Sequence, residues 1–266
     1  MSPRTDRVHL RANRPSLGEI LRIVRGRLGL CPQLRRALLP VREEDRGTDS
    51  LGPAPTVPGK SLEGPRLARM YIKMSAEAEG RGIAEHRDRL LADLPGRVLE
   101  VGAGNGLNFA HYPETVEEVT AVEPEDVLRS HAERAAPSAP VPVKVVDGHA
   151  EALPDGTYDA VVYALVLCSV PDVQRAVSVA GQVLREGGEL RFYEHVRAAN
   201  RLVGWIEDLI TPGWAWFGGG CHPNRDTAED VRRAGFEMVR LERFRFSPRP
   251  PFVPPVSHVI GTARAV

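Results

Sequence analysis

Apolar and polar positions along the chain fall into two textures that meet near residue 65. From Leu67 onward, short runs of apolar and β-branched residues alternate with amphipathic stretches. "RVLEVGAG", "VTAVEP", "VPVKVV", "YDAVVYALVL" and "GELRFYEHV" each predict a short strand. A helix is expected over "RLARMYIKMSAEAEGRGIAEHRDRLLADL", broken near Gly80 to Gly82 and stopping at Pro95. Another should run from Leu107, and one across "PDVQRAVSVAGQVLREGG" with Pro171 at its start and Gly187 at its stop. A start signal at Asp226 or Thr227 opens a further helix. Strands that alternate with helices imply a mostly parallel sheet covered on both faces, the doubly wound α/β class. The C-terminus departs from this rhythm: "FEMVRLERFRF" and "VSHVIGTARA" come one after the other with no helix between them. They should pair antiparallel at one edge of the sheet.

Before residue 65 the chain is rich in Pro, Arg and Gly, too poor in apolar residues to offset its own chain entropy. Residues 1–65 are therefore expected to be a basic, flexible arm, and residues 66–266 the folded domain. Charge divides the chain at the same place. Residues 1–70 carry 14 Arg/Lys against 7 Asp/Glu, a net of +7; with totals of 35 and 35, the remainder carries 21 and 28, a net of −7. One piece of the arm, "SLGEILRIVRGRLGL" (16–30), has a capping-box start and places Ile20, Val24 and Leu28 on one helical face. Two readings of it stand: a basic amphipathic helix that makes peripheral contact with a membrane or partner, or a short helix packed on the body. The whole chain has a formal net charge of zero, so no nucleic-acid footprint is expected. No signal peptide or membrane-spanning run is legible, and the expected compartment is the cytoplasm.

The most informative stretch is "LEVGAGNG": Glu100, Gly102, Gly104 and Gly106, after a strand and before an expected helix. Glycines there let the backbone turn tightly and approach a ligand. A dinucleotide fingerprint needs a third glycine where Leu107 stands, so that pattern fails. A carboxylate two residues before the glycines repels pyrophosphate and favours an ammonium group, as in the methionine end of S-adenosylmethionine. Glu123 ends the next strand about 20 residues on, where a ribose diol is held in such folds. At the end of the third strand, His149 and Ala150 in "DGHAEALP" are placed to meet an adenine ring.

"VLEVGAGNGLNF", "AVEP", "GHAEALPDGTYDAVVYALVLCSVPD" and "VLREGGELRFYEHV" together resemble class I S-adenosylmethionine-dependent methyltransferases. "GLNF", "LVLCSV" and "YEHV" are most similar to a branch of small methyltransferase-like proteins that includes alkyl-thiol methyltransferases. The resemblance runs from about Tyr71 to the C-terminus. It implies a seven-stranded, Rossmann-like sheet with an antiparallel last strand, S-adenosylmethionine as cofactor, S-adenosylhomocysteine as product, and no metal. It also implies a cofactor set: Glu100, Gly102, Ala103, Gly104 and Gly106 around the methionine end, Glu123 and Pro124 at the ribose, His149 and Ala150 at adenine, Leu165 lining the methionine side. Tyr71 resembles the aromatic residue that closes over the cofactor. Commoner relatives carry Asp where His149 stands, and often two His where Cys168 and Ser169 stand.

Methyl transfer to a hydroxyl or thiol profits from a base. His195, after Glu194 at the end of the fifth strand, and His222 are the candidates; Glu207 and Asp208 are weaker ones. Cys168 reads as a packed thiol. The Cys221–His222 pair has no further His/Cys cluster beside it in sequence, so no metal is expected there either. All three tryptophans fall near the triple glycine Gly218–Gly220, and Trp205, Trp214, Trp216 and Phe217 predict an apolar lid over the acceptor, about residues 197–225. The expected activity is methyl transfer to a small, apolar molecule, thiol or hydroxyl ahead of amine. A phospholipid or quinone-type methyltransferase is the alternative within the enzyme class. An NAD-linked oxidoreductase and a non-catalytic cofactor-binding module are more distant ones.

Overall fold

The computed structural model describes residues 64–217, 219–248 and 255–265. The amphipathic helix expected over 16–30, and the arm that carries it, lie outside the described residues. The first helix, α1 (Pro65–Ala78), runs into a π-helical turn (Glu79–Ile83) and on to α2 (Ala84–Leu91). Gly82 takes φ 117 in that turn, which accounts for the expected break between the two helices.

Seven strands come after them: β1 (Gly96–Val101), β2 (Val116–Val122), β3 (Val143–Val146), β4 (Tyr158–Ala164), β5 (Leu184–His195), β6 (Phe236–Phe246) and β7 (Val256–Ala265). Between them lie α3 (Asp126–Ala135), α4 (Val173–Val183), α5 (Arg201–Phe217) and α6 (Thr227–Arg233). The sheet order is β3-β2-β1-β4-β5-β7-β6. β1 to β5 are mutually parallel, and β7 enters between β5 and β6, antiparallel to both. The expected C-terminal hairpin is present, with β6 on the outer edge. Strand order reverses between β1 and β4, and the crevice at their carboxyl ends is where such sheets bind ligands.

Period-two alternation buries both faces. Leu99, Val101, Val161, Tyr163 and Phe192 share one core with Ala176, Val177 and Ala180 of α4. Val98, Ala160, Val162 and Tyr193 share the other with Leu90 and Leu91 of α2. Asp172 caps α4 by accepting from the Arg175 amide at 2.9 Å, and Asp226 caps α6 through Glu229.

Two expectations shift. The segment after Gly106 is a single 3₁₀ turn (Phe109–His111), because Pro113 comes too soon for a longer helix. α4 ends at Val183 instead of Gly187, since Leu184 already pairs with Tyr158 in the ladder. Among the described residues no helix is long and apolar enough to cross a membrane.

Candidate active site

Gly102, Gly104 and Gly106 all have positive φ, at 73°, 58° and 81°, so the turn after β1 depends on all three. A Cβ at Gly102 would come within 2.6 Å of the Val166 side chain, and one at Gly106 within 2.8 Å of Phe109. The amides of Gly102 and Ala103 donate to the Val122 carbonyl at 2.8 and 3.0 Å, which ties the turn to the end of β2.

Two buried carboxylates organise this turn. Glu123 accepts from the Gly104 amide at 2.7 Å and from the Glu125 amide at 3.0 Å. Glu100 accepts from the Asn108 side-chain amide at 2.8 Å and the Tyr112 hydroxyl at 2.7 Å. Arg87, itself held by Glu79, donates to Asn108 from behind. Burial pushes the Glu100 carboxyl up to about 7 against those two hydrogen bonds, and it pushes Glu123 up as well. Glu100 is thus part of the turn's own scaffold, more enclosed than a carboxylate standing free in a crevice. Asn108, Tyr112 and Arg87 do not stand out in the sequence; a polar residue two places after the last glycine was the available signal.

The Tyr71 ring lies over the turn, its Cε1 3.6 Å from where a Gly104 Cβ would stand. Ala150 is buried behind β3, whereas His149 and Pro124 are exposed on its rim, His149 bridging to Ala152.

The opposite wall comes from the ends of β4 and β5. Leu165 has φ 61, a left-handed conformation unusual for a branched side chain, and its amide donates to the Tyr193 carbonyl at 2.7 Å. The next three amides, of Val166, Leu167 and Cys168, all donate to the fully buried Glu194 carboxylate at 2.9, 2.8 and 3.1 Å. The Cys168 carbonyl accepts from the His222 amide at 2.7 Å, and Arg225 bonds the Leu167 and Val170 carbonyls. These contacts bring the Cys168 and Cys221 sulfurs to 3.5 Å, with His195 Nδ1 3.7 Å from the first and 3.6 Å from the second. The lid cysteine therefore meets a histidine and a second thiol, but its histidine is His195, not the adjacent His222. His222 turns its Nδ1 to the Gly220 carbonyl at 2.6 Å. Burial, with Arg225 nearby, lowers its pKa.

The expected lid takes the form of a helix. α5 spans Arg201–Phe217 and contains Trp205, Trp214, Trp216 and Phe217. Trp205 and Trp214 are 59% and 42% exposed, and they share an outward apolar stripe with Leu202, Ile206, Leu209 and Ile210. That spacing is one helical face. Glu207 is buried and accepts from the Ala198 amide at 2.7 Å, and Asp208 pairs with Arg197 at 2.8 Å. Both acids anchor the helix.

Residues 99–192 match the methyltransferase domain family. The thiol S-methyltransferase TMT1B of Rattus norvegicus is 33% identical over 210 residues, 74% of this chain and 81% of that protein. The phosphatidylethanolamine N-methyltransferase of Cereibacter sphaeroides is 36% identical over 128 residues, 45% of this chain and 63% of that protein. A solved S-adenosylmethionine-dependent methyltransferase of Thermotoga maritima shares the fold with TM-score 0.56 at 21% identity, over 76% of this chain and 97% of that one. The chain belongs to the S-adenosylmethionine-dependent methyltransferase family, and it is a methyltransferase.

Proposed function

We propose that this methyltransferase moves the methyl group of S-adenosylmethionine onto a small, apolar acceptor, a thiol first and a hydroxyl second. The observation that carries the reading is the glycine turn clasped by two buried carboxylates, facing a Cys/His wall at the switch point of the sheet. The named activity of the rat relative supports sulfur as the acceptor atom.

The residues fit the cofactor. S-adenosylmethionine supplies an electrophilic methyl on a sulfonium sulfur and carries an ammonium group, a ribose diol and an adenine. Glycine at 102, where any Cβ meets Val166, keeps the backbone free to approach it. Glu100 and Glu123 keep spare lone pairs for the ammonium and the diol, and Tyr71 covers the turn. Ala103, Gly104, Gly106, Pro124, His149, Ala150 and Leu165 complete the cofactor set. The transfer is an in-line displacement, so holding both partners in line is most of the catalytic task. His195 and His222 are the candidate groups for handling a proton. His222 commits Nδ1 to a carbonyl, which leaves Nε2 with a lone pair.

A second reading, a phospholipid acceptor, is favoured by the outward apolar face of α5 and by the Cereibacter relative. One experiment separates the two. Binding of S-adenosylhomocysteine is measured by calorimetry, and labelled methyl transfer is then scored against alkyl thiols, phenols and phosphatidylethanolamine vesicles. Binding with thiol labelling is expected. Vesicle labelling alone would select the lipid reading, and no binding would overturn both.

A further inference from the structure

We propose that Cys168, His195 and Cys221 hold a zinc ion whose fourth position takes the acceptor as a thiolate. The inference rests on the thiol reading above.

The geometry carries it. The three ligand atoms stand 3.5, 3.6 and 3.7 Å apart. Tetrahedral zinc, with bonds of about 2.3 Å to sulfur and 2.0 Å to nitrogen, sets S···S edges of about 3.8 Å and S···N edges of about 3.5 Å. The trio is therefore one face of such a tetrahedron before an ion has entered. Two sulfurs and an imidazole select zinc over the hard, oxygen-seeking cations. Three protein ligands leave one coordination position open, as catalytic zinc sites require and structural ones do not.

The trio is also built. Its members come from three separate segments, each fixed by the backbone. Glu194 gathers the amides of 166–168 and so seats Cys168. The His222 amide bonds the Cys168 carbonyl, which holds the Cys221 loop against it, and the Gly220 amide bonds the Ala215 carbonyl. His195 ends β5, in register with His258 of β7, and their rings lie 4.6 Å apart. Supporting groups that fix the ligands are what an effective metal site needs. The site adjoins the cofactor turn, since Val166, two residues before Cys168, fills the space over Gly102.

The chemistry balances. The acceptor R–SH binds as R–S⁻ and its proton passes to solvent, because a thiol coordinated to zinc is deprotonated. Zinc with two cysteine thiolates is neutral, so a third thiolate gives the site a charge of −1 opposite the sulfonium's +1. The thiolate lone pair forms the new S–CH₃ bond. The sulfonium–methyl bond breaks, and its electron pair stays on the sulfur of S-adenosylhomocysteine. The product thioether is neutral and a poor zinc ligand, so it leaves and reopens the fourth position.

The test uses the full chain purified without chelator. Elemental analysis should find about one zinc per chain, retained in Cys31→Ser and lost in Cys168→Ser and Cys221→Ser. Cobalt in place of zinc should give thiolate-to-metal absorption bands that shift when an alkyl thiol is added. If the serine variants misfold, chelator-stripped wild type gives the second readout, since adding zinc should protect two thiols from a thiol reagent. Zinc that neither binds nor protects, or the two cysteines found as a disulfide in active enzyme, would overturn the proposal. Undiminished thiol methylation by stripped enzyme would overturn the role of the ion and leave the thiol reading intact. Zinc bound with no thiol methylated would overturn the acceptor reading and the role of the ion with it.

Discussion

The Glu123 carboxylate, at the end of β2, accepts a 2.7 Å hydrogen bond from the backbone amide of Gly104, in the turn after β1. One acid at the end of β2 thus fixes the conformation of the glycine turn after β1. Gly104 has φ 58 and sits under Tyr71, so Gly104→Val both strains the backbone, by about 1–2 kcal/mol, and pushes the ring away. Calorimetry should show S-adenosylhomocysteine binding weakened by about tenfold or more while the circular dichroism stays native. Unchanged affinity would show that the turn does not touch the ligand.

Glu100 gives a pH signature. Its carboxyl is raised from 4.5 to about 7 by burial. Between those values the folded chain holds a proton that the unfolded chain has lost. Stability from this group therefore falls as pH rises through the window and levels off above about 7. Glu100→Gln lacks this component. The unfolding free energy of the wild type minus that of the variant should fall by about 3 kcal/mol across the window, by denaturant titration. A flat difference would place the ionisation elsewhere.

Glu194 is a positioning residue. Replacing it with alanine leaves the amides of Val166, Leu167 and Cys168 buried without their acceptor, at about 1–3 kcal/mol for each. Urea unfolding of Glu194→Ala should show a loss of about 3 kcal/mol or more, and Glu194→Gln a smaller one. Equal losses in the two variants would mean that a single acceptor oxygen of the same shape is not enough, and that the amides need both carboxylate oxygens.

Gly261, in β7, faces Phe192 so closely that a Cβ would fall 2.2 Å from the ring's Cζ. Gly261→Ala should cost about 1–3 kcal/mol through overpacking, read as a lowered Tm. Gly213, with open space around it and no positive φ, is the control for crowding at a glycine.

The outward face of α5 should matter for acceptors and little for folding. Trp205→Ser combined with Leu209→Ser, both exposed, should shift stability by no more than about 0.5 kcal/mol. Apparent KM for long-chain thiols should rise several-fold while short thiols are unaffected. An equal effect on both would remove α5 from acceptor recognition.

Much of the fold was legible because it is periodic. The alternation in β1 and β4, with Leu99, Val101, Val161 and Tyr163 on one face, is visible in sequence, and so is the Asp226 cap. Glu100, Glu123 and the glycines were legible because their chemistry lies within about 20 residues of one turn. The grouping of Cys168, His195 and Cys221 was not. Cys168 and His195 are 27 positions apart, and Cys168 and Cys221 are 53 apart. The sheet topology, the three amides gathered by Glu194 and the His222 amide on the Cys168 carbonyl bring them together, and no local spacing records that. The helical form of the segment from 201 to 217 is also hidden. Gly204, Pro212 and Gly213 are poor helix formers, but the apolar stripe from Leu202 to Trp214 has helical period and overrides them.

α5 has one more consequence. All three indoles of the chain, Trp205, Trp214 and Trp216, belong to this single helix. Tryptophan fluorescence, excited selectively over the five tyrosines, is therefore a spectroscopic report on α5 alone, with no indole background from the sheet or the glycine turn. Trp205 and Trp214 start half-exposed, so anything that settles on the helix, an acceptor or a bilayer, should move the emission to the blue. The protein comes with its own optical probe at the segment whose role most needs watching.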